Sequence, residues 1–273
     1  MSVGAGEGRT TIDGLGFRYR VDGRSGAPWL VFSNSLMTDL SLWDAQVAAF
    51  GDGFRILRYD QRGHGGTDVP PRPCTFDRLV ADLLALLDRC GVAQASVVGV
   101  SMGGVTALGL AASHPDRVAR VAICDCAPGS TPAGAAAWDE RIAVARAGGM
   151  AALAGPTLAR WFRPETVAAD PPALRAVGLT IARTPLAGFE RAAHALQDYD
   201  FRNLPARLRC PTAFIVGAMD AALPDTMRAM AEAAPGATFT AVPEAGHLPN
   251  VERPDIFNQA LNALLARRPR SPA

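Results

Sequence analysis

The chain has 273 residues, 49% of them hydrophobic, with 27 basic against 26 acidic side chains and a formal net charge of +1. That length and apolar content suit one large α/β domain with an insertion, and the charge balance excludes a field that would gather nucleic acid or an anionic membrane surface. No apolar run approaches the roughly 20 residues that span a bilayer, and the opening M-S-V-G-A-G-E-G-R-T lacks the apolar core of a secretory signal.

In chain order, short apolar runs alternate with helical patterns. Strands are expected at 17–21, 29–32 and 54–59, followed by a helix over 75–90 with Leu79, Leu83, Leu86 and Leu87 on its core face. A strand at 96–100 runs into a small-residue helix at 102–112, and another strand follows at 118–124. Between 127 and 207 the rhythm breaks. That stretch is alanine-rich and helical in period, and prolines at 132, 156, 164, 171, 172 and 185 are expected to cut it into short helices. Strands resume at 213–216 and 239–242, and a last helix opens on Pro254 with Ile256, Ala260, Leu261 and Leu264 inward. The alternation predicts an α/β fold, a mostly parallel sheet flanked by helices on both faces. Its core is expected to comprise 1–126 and 208–273, with a helical cap at 127–207. The terminal Arg267, Arg268 and Arg270 read as a solvated tail. Cys74, Cys90, Cys124, Cys126 and Cys210 are odd in number and contain no C-x-x-C pair, so reduced thiols and a cytoplasmic location are expected.

One corner carries chemistry. Ser101 sits in Gly99-x-Ser101-x-Gly103, between an expected buried strand and an expected helix. Such a corner strains the serine backbone, projects the hydroxyl from the sheet edge and puts a helix N-terminus behind a developing oxyanion. A serine hydroxyl needs a base to become a useful nucleophile. Of the four histidines, His247 in P-E-A-G-H-L-P-N lies between the last strand and last helix, which satisfies the chain order serine, acid, histidine. His64, His114 and His194 read as structural, with His64 nearest the site entrance. The acid that orients the imidazole is expected to be Asp220, in the loop after strand 213–216, and Asp125 at the end of the preceding strand is its rival. Leu36, in S-N-S-L-M-T-D after the second strand, offers an N–H that pairs with the Met102 N–H as an oxyanion hole. Asn34 and Ser35 could instead form only a polar turn. The glycine-rich D-Q-R-G-H-G loop at 60–65 lacks the Lys-Ser/Thr of a phosphate-binding loop and reads as structural.

These residues resemble the α/β-hydrolase superfamily over nearly the whole chain. V-F-S-N-S-L, R-Y-D-Q-R-G-H-G, G-V-S-M-G-G and G-H-L-P-N-V-E-R-P are similar to 3-oxoadipate enol-lactonases in particular, as are the cap stretches A-W-D-E-R-I-A-V-A-R-A-G-G-M and A-R-W-F. The resemblance implies a small ester or lactone substrate, most specifically the enol-lactone of β-ketoadipate aromatic degradation, with no metal or organic cofactor. Trp138, Trp161 and Phe162 would wall the substrate pocket, and Arg141, sharing a helix face with Trp138, would hold its carboxylate. Met37, where the family carries glycine, and Tyr199, where it carries a small residue, would reshape that pocket. Pro249 stands where the family more often has serine. A general carboxylesterase or cofactor-free perhydrolase would share every catalytic residue and differ in pocket shape. A non-catalytic binding protein on the same fold is the third alternative.

Overall fold

A tight hairpin begins the described chain. β1 (Gly6–Ile12) and β2 (Leu15–Gly23) are joined at Asp13 and Gly14, whose φ values of 50° and 75° match the left-handed pair of a two-residue turn. This computed structural model describes residues 4–268. There follow β3 (Trp29–Ser33), α1 (Asp44–Phe50), β4 (Arg55–Tyr59), α2 (Phe76–Arg89), β5 (Ala95–Val100), α3 (Met102–Ser113) and β6 (Val118–Cys124). Five helices stand between β6 and the next strand: α4 (Pro132–Gly148), α5 (Ala151–Trp161), α6 (Pro164–Ala169), α7 (Pro172–Arg183) and α8 (Leu186–Gln197). The chain closes with β7 (Thr212–Gly217), α9 (Leu223–Ala233), β8 (Thr238–Val242), α10 (Pro249–Glu252) and α11 (Pro254–Leu265).

The eight strands form one sheet in the order β1-β2-β4-β3-β5-β6-β7-β8. β1 and β2 pair antiparallel, as do β2 and β4, and every other neighbouring pair is parallel. Every residue of β5 and of β7 is buried, as a parallel sheet covered on both faces requires. α2 opens on Thr75, whose hydroxyl oxygen accepts the Arg78 N–H at 3.2 Å. Leu79, Leu83, Leu86 and Leu87 are all buried on it. α3 is buried at every position except its last, which explains its composition of Gly, Ala, Val, Leu and Thr. A buried ion pair ties the loop after β4 to α2: the Arg62 guanidinium meets both Asp82 oxygens at 2.5 Å.

Three details differ from expectation. Pro156 does not end a helix but lies inside α5. Ala152, Gly155 and Pro156 are exposed, so the carbonyl that proline leaves without a donor meets water. The core face of α11 runs through Phe257, Leu261, Leu264 and Leu265, with Ile256 and Ala260 only half-buried. Arg267 is not a solvated tail residue. Its guanidinium donates to the Gly236 carbonyl at 2.8 Å and to that of Thr212 at 3.2 Å, and its own carbonyl accepts from Arg120 at 2.6 Å. Arg268 is exposed, and Arg270 lies outside the described residues.

The helical segment between β6 and β7 is pinned where it leaves the sheet. The Phe201 N–H donates to the Pro128 carbonyl at 2.7 Å and that of Ser130 to the Tyr199 carbonyl at 3.0 Å, around a Gly129–Asp200 bridge. Tyr199 belongs to this anchor. Its ring packs 4.5 Å from Phe76, and its hydroxyl donates to the Ala127 carbonyl at 3.1 Å. Among the described residues, no helix is long and apolar enough to cross a membrane.

Candidate active site

The C-terminal ends of the parallel strands converge on one region. Ser101 follows β5 directly and occupies φ 56°, ψ −119°, a conformation that non-glycine residues rarely adopt. The corner is held by its own backbone: the Ser101 N–H donates to the Cys124 carbonyl at 2.8 Å, and its carbonyl accepts the Val105 N–H at 3.1 Å. The flanking glycines are required for space. A Cβ on Gly99 would overlap the Gly103 carbonyl, and one on Gly103 would overlap the carbonyl of Ser33. Gly103→Ala is therefore expected to destabilise the protein by about 1–3 kcal/mol or more, through overpacking against rigid backbone. A urea titration beside an activity assay checks this; a wild-type midpoint would show that the corner can yield.

The same close approach brings the β3 exit against the start of α3. Here the Asn34 side chain donates to the Tyr59 carbonyl at 2.7 Å and accepts the Trp43 indole N–H at 2.9 Å. Gln61 donates to the Asn34 carbonyl at 2.8 Å, and the Thr38 hydroxyl donates to that of Ser35 at 2.8 Å. The turn is thus fixed from both sides. Leu36 and Met102 are buried, and neither backbone N–H donates to another group among the described residues. Met37 takes the left-handed φ of 60° that glycine adopts freely, and it is fully buried. It fills core space beside the turn.

His247 and Asp220 meet. Asp220, in the turn after β7, holds its Oδ2 2.7 Å from His247 Nδ1, with the two side chains 11% and 14% exposed. That contact fixes Nδ1–H as the donor and leaves Nε2 as the free acceptor. Asp125 follows β6 directly at φ 45°, is fully buried and accepts the Gly217 N–H at 2.8 Å on Oδ1. Burial, and then the neighbouring Asp220 charge, push its carboxyl well above the usual carboxylate range.

His64 does not line an entrance. It is fully buried, with Nδ1 3.1 Å from the Arg62 carbonyl oxygen, and burial pulls its pKa down to about 4, so it stays neutral. At the start of the same loop, Asp60 accepts the Leu40 N–H at 2.7 Å and the Gly66 N–H at 2.8 Å. His114 forms the C-cap of α3, and His194 is exposed on α8. All five cysteines are buried, and Cys74, Cys90, Cys124 and Cys126 are free thiols. Among the described residues no group of three or more His, Cys, Asp or Glu side chains is gathered to hold a metal ion.

On the cap side, Trp138 lies half-buried on α4, 6.5 Å from Phe189. The Arg141 guanidinium stacks 4.4 Å over its ring and makes no ion pair among the described residues. Trp161 lies beside His247. Its ring lies 5.5 Å from the His247 imidazole, and its carbonyl accepts the His247 N–H at 2.7 Å. Glu252 is the residue that motif inspection passes over. Its buried carboxylate accepts the Gly246 N–H at 2.8 Å; the E-R-P after the histidine was the available signal.

Comparison with known proteins agrees in extent and fold. A model of the alpha/beta hydrolase family matches residues 23–260. The chain is 34% identical to 3-oxoadipate enol-lactonase 2 of Acinetobacter baylyi, over 94% of this chain and 96% of that protein. Among solved structures, the enol-lactonase from Burkholderia xenovorans superposes with a TM-score of 0.90 at 38% identity, covering 95% of this chain and 100% of that one. A thermophilic esterase from Thermogutta terrifontis, solved with malate bound, gives 0.87 at 28% identity, covering 96% and 98%.

Proposed function

This chain belongs to the alpha/beta hydrolase family and is a hydrolase acting on ester bonds, and on that premise we propose that it opens 3-oxoadipate enol-lactone to 3-oxoadipate with a Ser101-His247-Asp220 triad. The observation that carries the triad is the 2.7 Å contact between Asp220 and His247 Nδ1, and the strained serine corner after β5 supplies the nucleophile. In this mechanism His247 Nε2 takes the Ser101 proton as Oγ attacks the lactone carbonyl. The Leu36 and Met102 N–H groups hold the oxyanion, and Asp220 stabilises the imidazolium. The intermediate collapses by expelling the ring enolate, which His247 protonates and which stays tethered through the acyl chain. Water, deprotonated by His247, then releases the acid, and the enol relaxes to the ketone. No step calls for a metal or organic cofactor. The insertion at 127–207 serves as the cap that supplies the pocket walls.

The substrate assignment draws support from the enol-lactonase relatives and from Arg141. Burial pulls this guanidinium below its usual pKa, and Arg160 is a like-charged neighbour rather than a counter-ion. A carboxylate on the substrate would relieve both penalties. A charge-assisted hydrogen bond contributes about 1.5–3 kcal/mol. Arg141→Ala is therefore expected to lower kcat/KM for the carboxylated enol-lactone by roughly tenfold to a hundredfold and to leave a neutral aryl ester nearly unchanged. Equal losses on both substrates would assign Arg141 to cap packing against Trp138. A wild type that prefers the neutral ester would make the protein a general carboxylesterase.

A further inference from the structure

The loop carrying His247 is gripped by the corner between α5 and α6. Its N–H donates to the Trp161 carbonyl at 2.7 Å, and the two rings lie 5.5 Å apart at 30°. Gly246 passes so close to the same carbonyl that a Cβ there would overlap it. Glu252, on α10, completes the grip from behind. Its side chain is 1% exposed, and a carboxylate so enclosed is tolerated only when donors surround it. Oε2 accepts the Gly246 N–H at 2.8 Å. Oε1 accepts the Arg163 N–H at 3.1 Å and the Thr166 hydroxyl, and the Arg163 guanidinium lies 3.4 Å away. One carboxylate thus joins the peptide just before His247 to the helix that follows Trp161.

From these contacts we infer that Glu252 is a positioning residue for His247, coupling the seating of the α5–α6 corner to the His247–Asp220 pair. It touches no reacting atom. Its carboxylate takes three hydrogen-bond donors and the Arg163 guanidinium as an ion-pair partner, drawn from the histidine loop and from the start of α6. A shift of α6 would therefore pass through Glu252 to the histidine backbone. The inference rests on His247 being the general base.

The test uses two variants and two readouts that need no cap-specific substrate. Glu252→Gln keeps the shape but replaces one accepting oxygen with an amide NH₂ facing donors. Thr166→Val removes one donor on the far side and keeps the side-chain volume. Both are measured for kcat and KM on p-nitrophenyl acetate and for the rate of Ser101 modification by a fluorophosphonate, with thermal melting to confirm folding. Misplacing a catalytic group by about 1 Å costs roughly a hundredfold, so folded Glu252→Gln is expected to lose tenfold to a hundredfold in kcat and in fluorophosphonate rate, with KM little changed. Thr166→Val should move the same two quantities by less, and the double variant should be no slower than Glu252→Gln, because both act through one chain of contacts. Wild-type fluorophosphonate reactivity in folded Glu252→Gln, a loss confined to KM, or additive effects would overturn the inference. If Glu252→Gln does not fold, wild-type reactivity of Thr166→Val overturns it instead. Full reactivity of His247→Ala would reject the general base itself, which separates that failure from this one.

Discussion

Ser101→Ala is expected to leave less than about a thousandth of the wild-type kcat/KM while the protein folds as before. The nucleophile and its base act as a unit, so losing the hydroxyl removes covalent catalysis outright and leaves only oxyanion stabilisation and binding. The backbone gives no reason for unfolding. The bonds from Ser101 to Cys124 and Val105 run through main-chain atoms, and alanine keeps the Cβ that the corner already accommodates. The corner also stores strain, since φ 56° with ψ −119° costs of order 1–3 kcal/mol for a residue with a side chain. Ser101→Gly should therefore be as inactive as Ser101→Ala yet melt above it, despite glycine's larger unfolded-state entropy. Circular-dichroism melts and ester hydrolysis on the three proteins decide the matter. Residual turnover well above a thousandth, with the fold intact, would point to another nucleophile.

How much of this was legible depended on whether a residue's role is local. The Gly99-x-Ser101-x-Gly103 corner could be read directly because its strain and its neighbours lie within a few positions. The buried strands were equally visible, since β5 and β7 are apolar throughout. β1 was not, because only Ile12 is buried on an edge strand whose other side chains alternate between exposed and half-buried. Its one signal was the Asp13-Gly14 dipeptide, a strong hairpin turn that carries little weight without an apolar run beside it. α9 escaped for a similar reason: Met227, Met230 and Ala231 are its only buried residues. His64 illustrates the opposite failure. Nothing in R-G-H-G reveals that the histidine is fully buried. Arg267 likewise looked like a tail because its partners are carbonyls of Thr212 and Gly236, which no sequence pattern marks. Glu252 binds groups as many as 89 positions away.

The site therefore combines legible chemistry with long-range support, and the two candidate acids show the difference. Both follow neighbouring parallel strands and both lie between Ser101 and His247, so from sequence the preference for Asp220 rested on its having a loop to itself. Geometry adds physical grounds. Asp220 already holds His247 Nδ1 at 2.7 Å, whereas Asp125 spends Oδ1 on the Gly217 N–H and has Asp220 as its neighbouring carboxyl.

Asp220→Asn is accordingly expected to lower kcat/KM by about 10⁴, the scale on which losing the orienting carboxylate acts in a serine-protease triad, because an amide offers the imidazole the wrong tautomer and no countercharge. Asp125→Asn should stay within about tenfold of wild type. Its burial and the Asp220 charge raise its pKa and so favour its uncharged form, which asparagine mimics, and the asparagine oxygen can still accept the Gly217 N–H. The sign of the linked stability effect follows. A carboxyl whose folded pKa is raised contributes stability fully below its unfolded pKa of about 3.9 and loses it as pH climbs through the folded value. Asparagine does not titrate, so Asp125→Asn should gain on wild type in urea midpoint as pH rises above about 4. Steady-state rates of both variants on one ester, with urea midpoints at several pH values, test the pair of claims together. A large rate loss in Asp125→Asn beside a small one in Asp220→Asn would make Asp125 the catalytic acid and Asp220 its bystander.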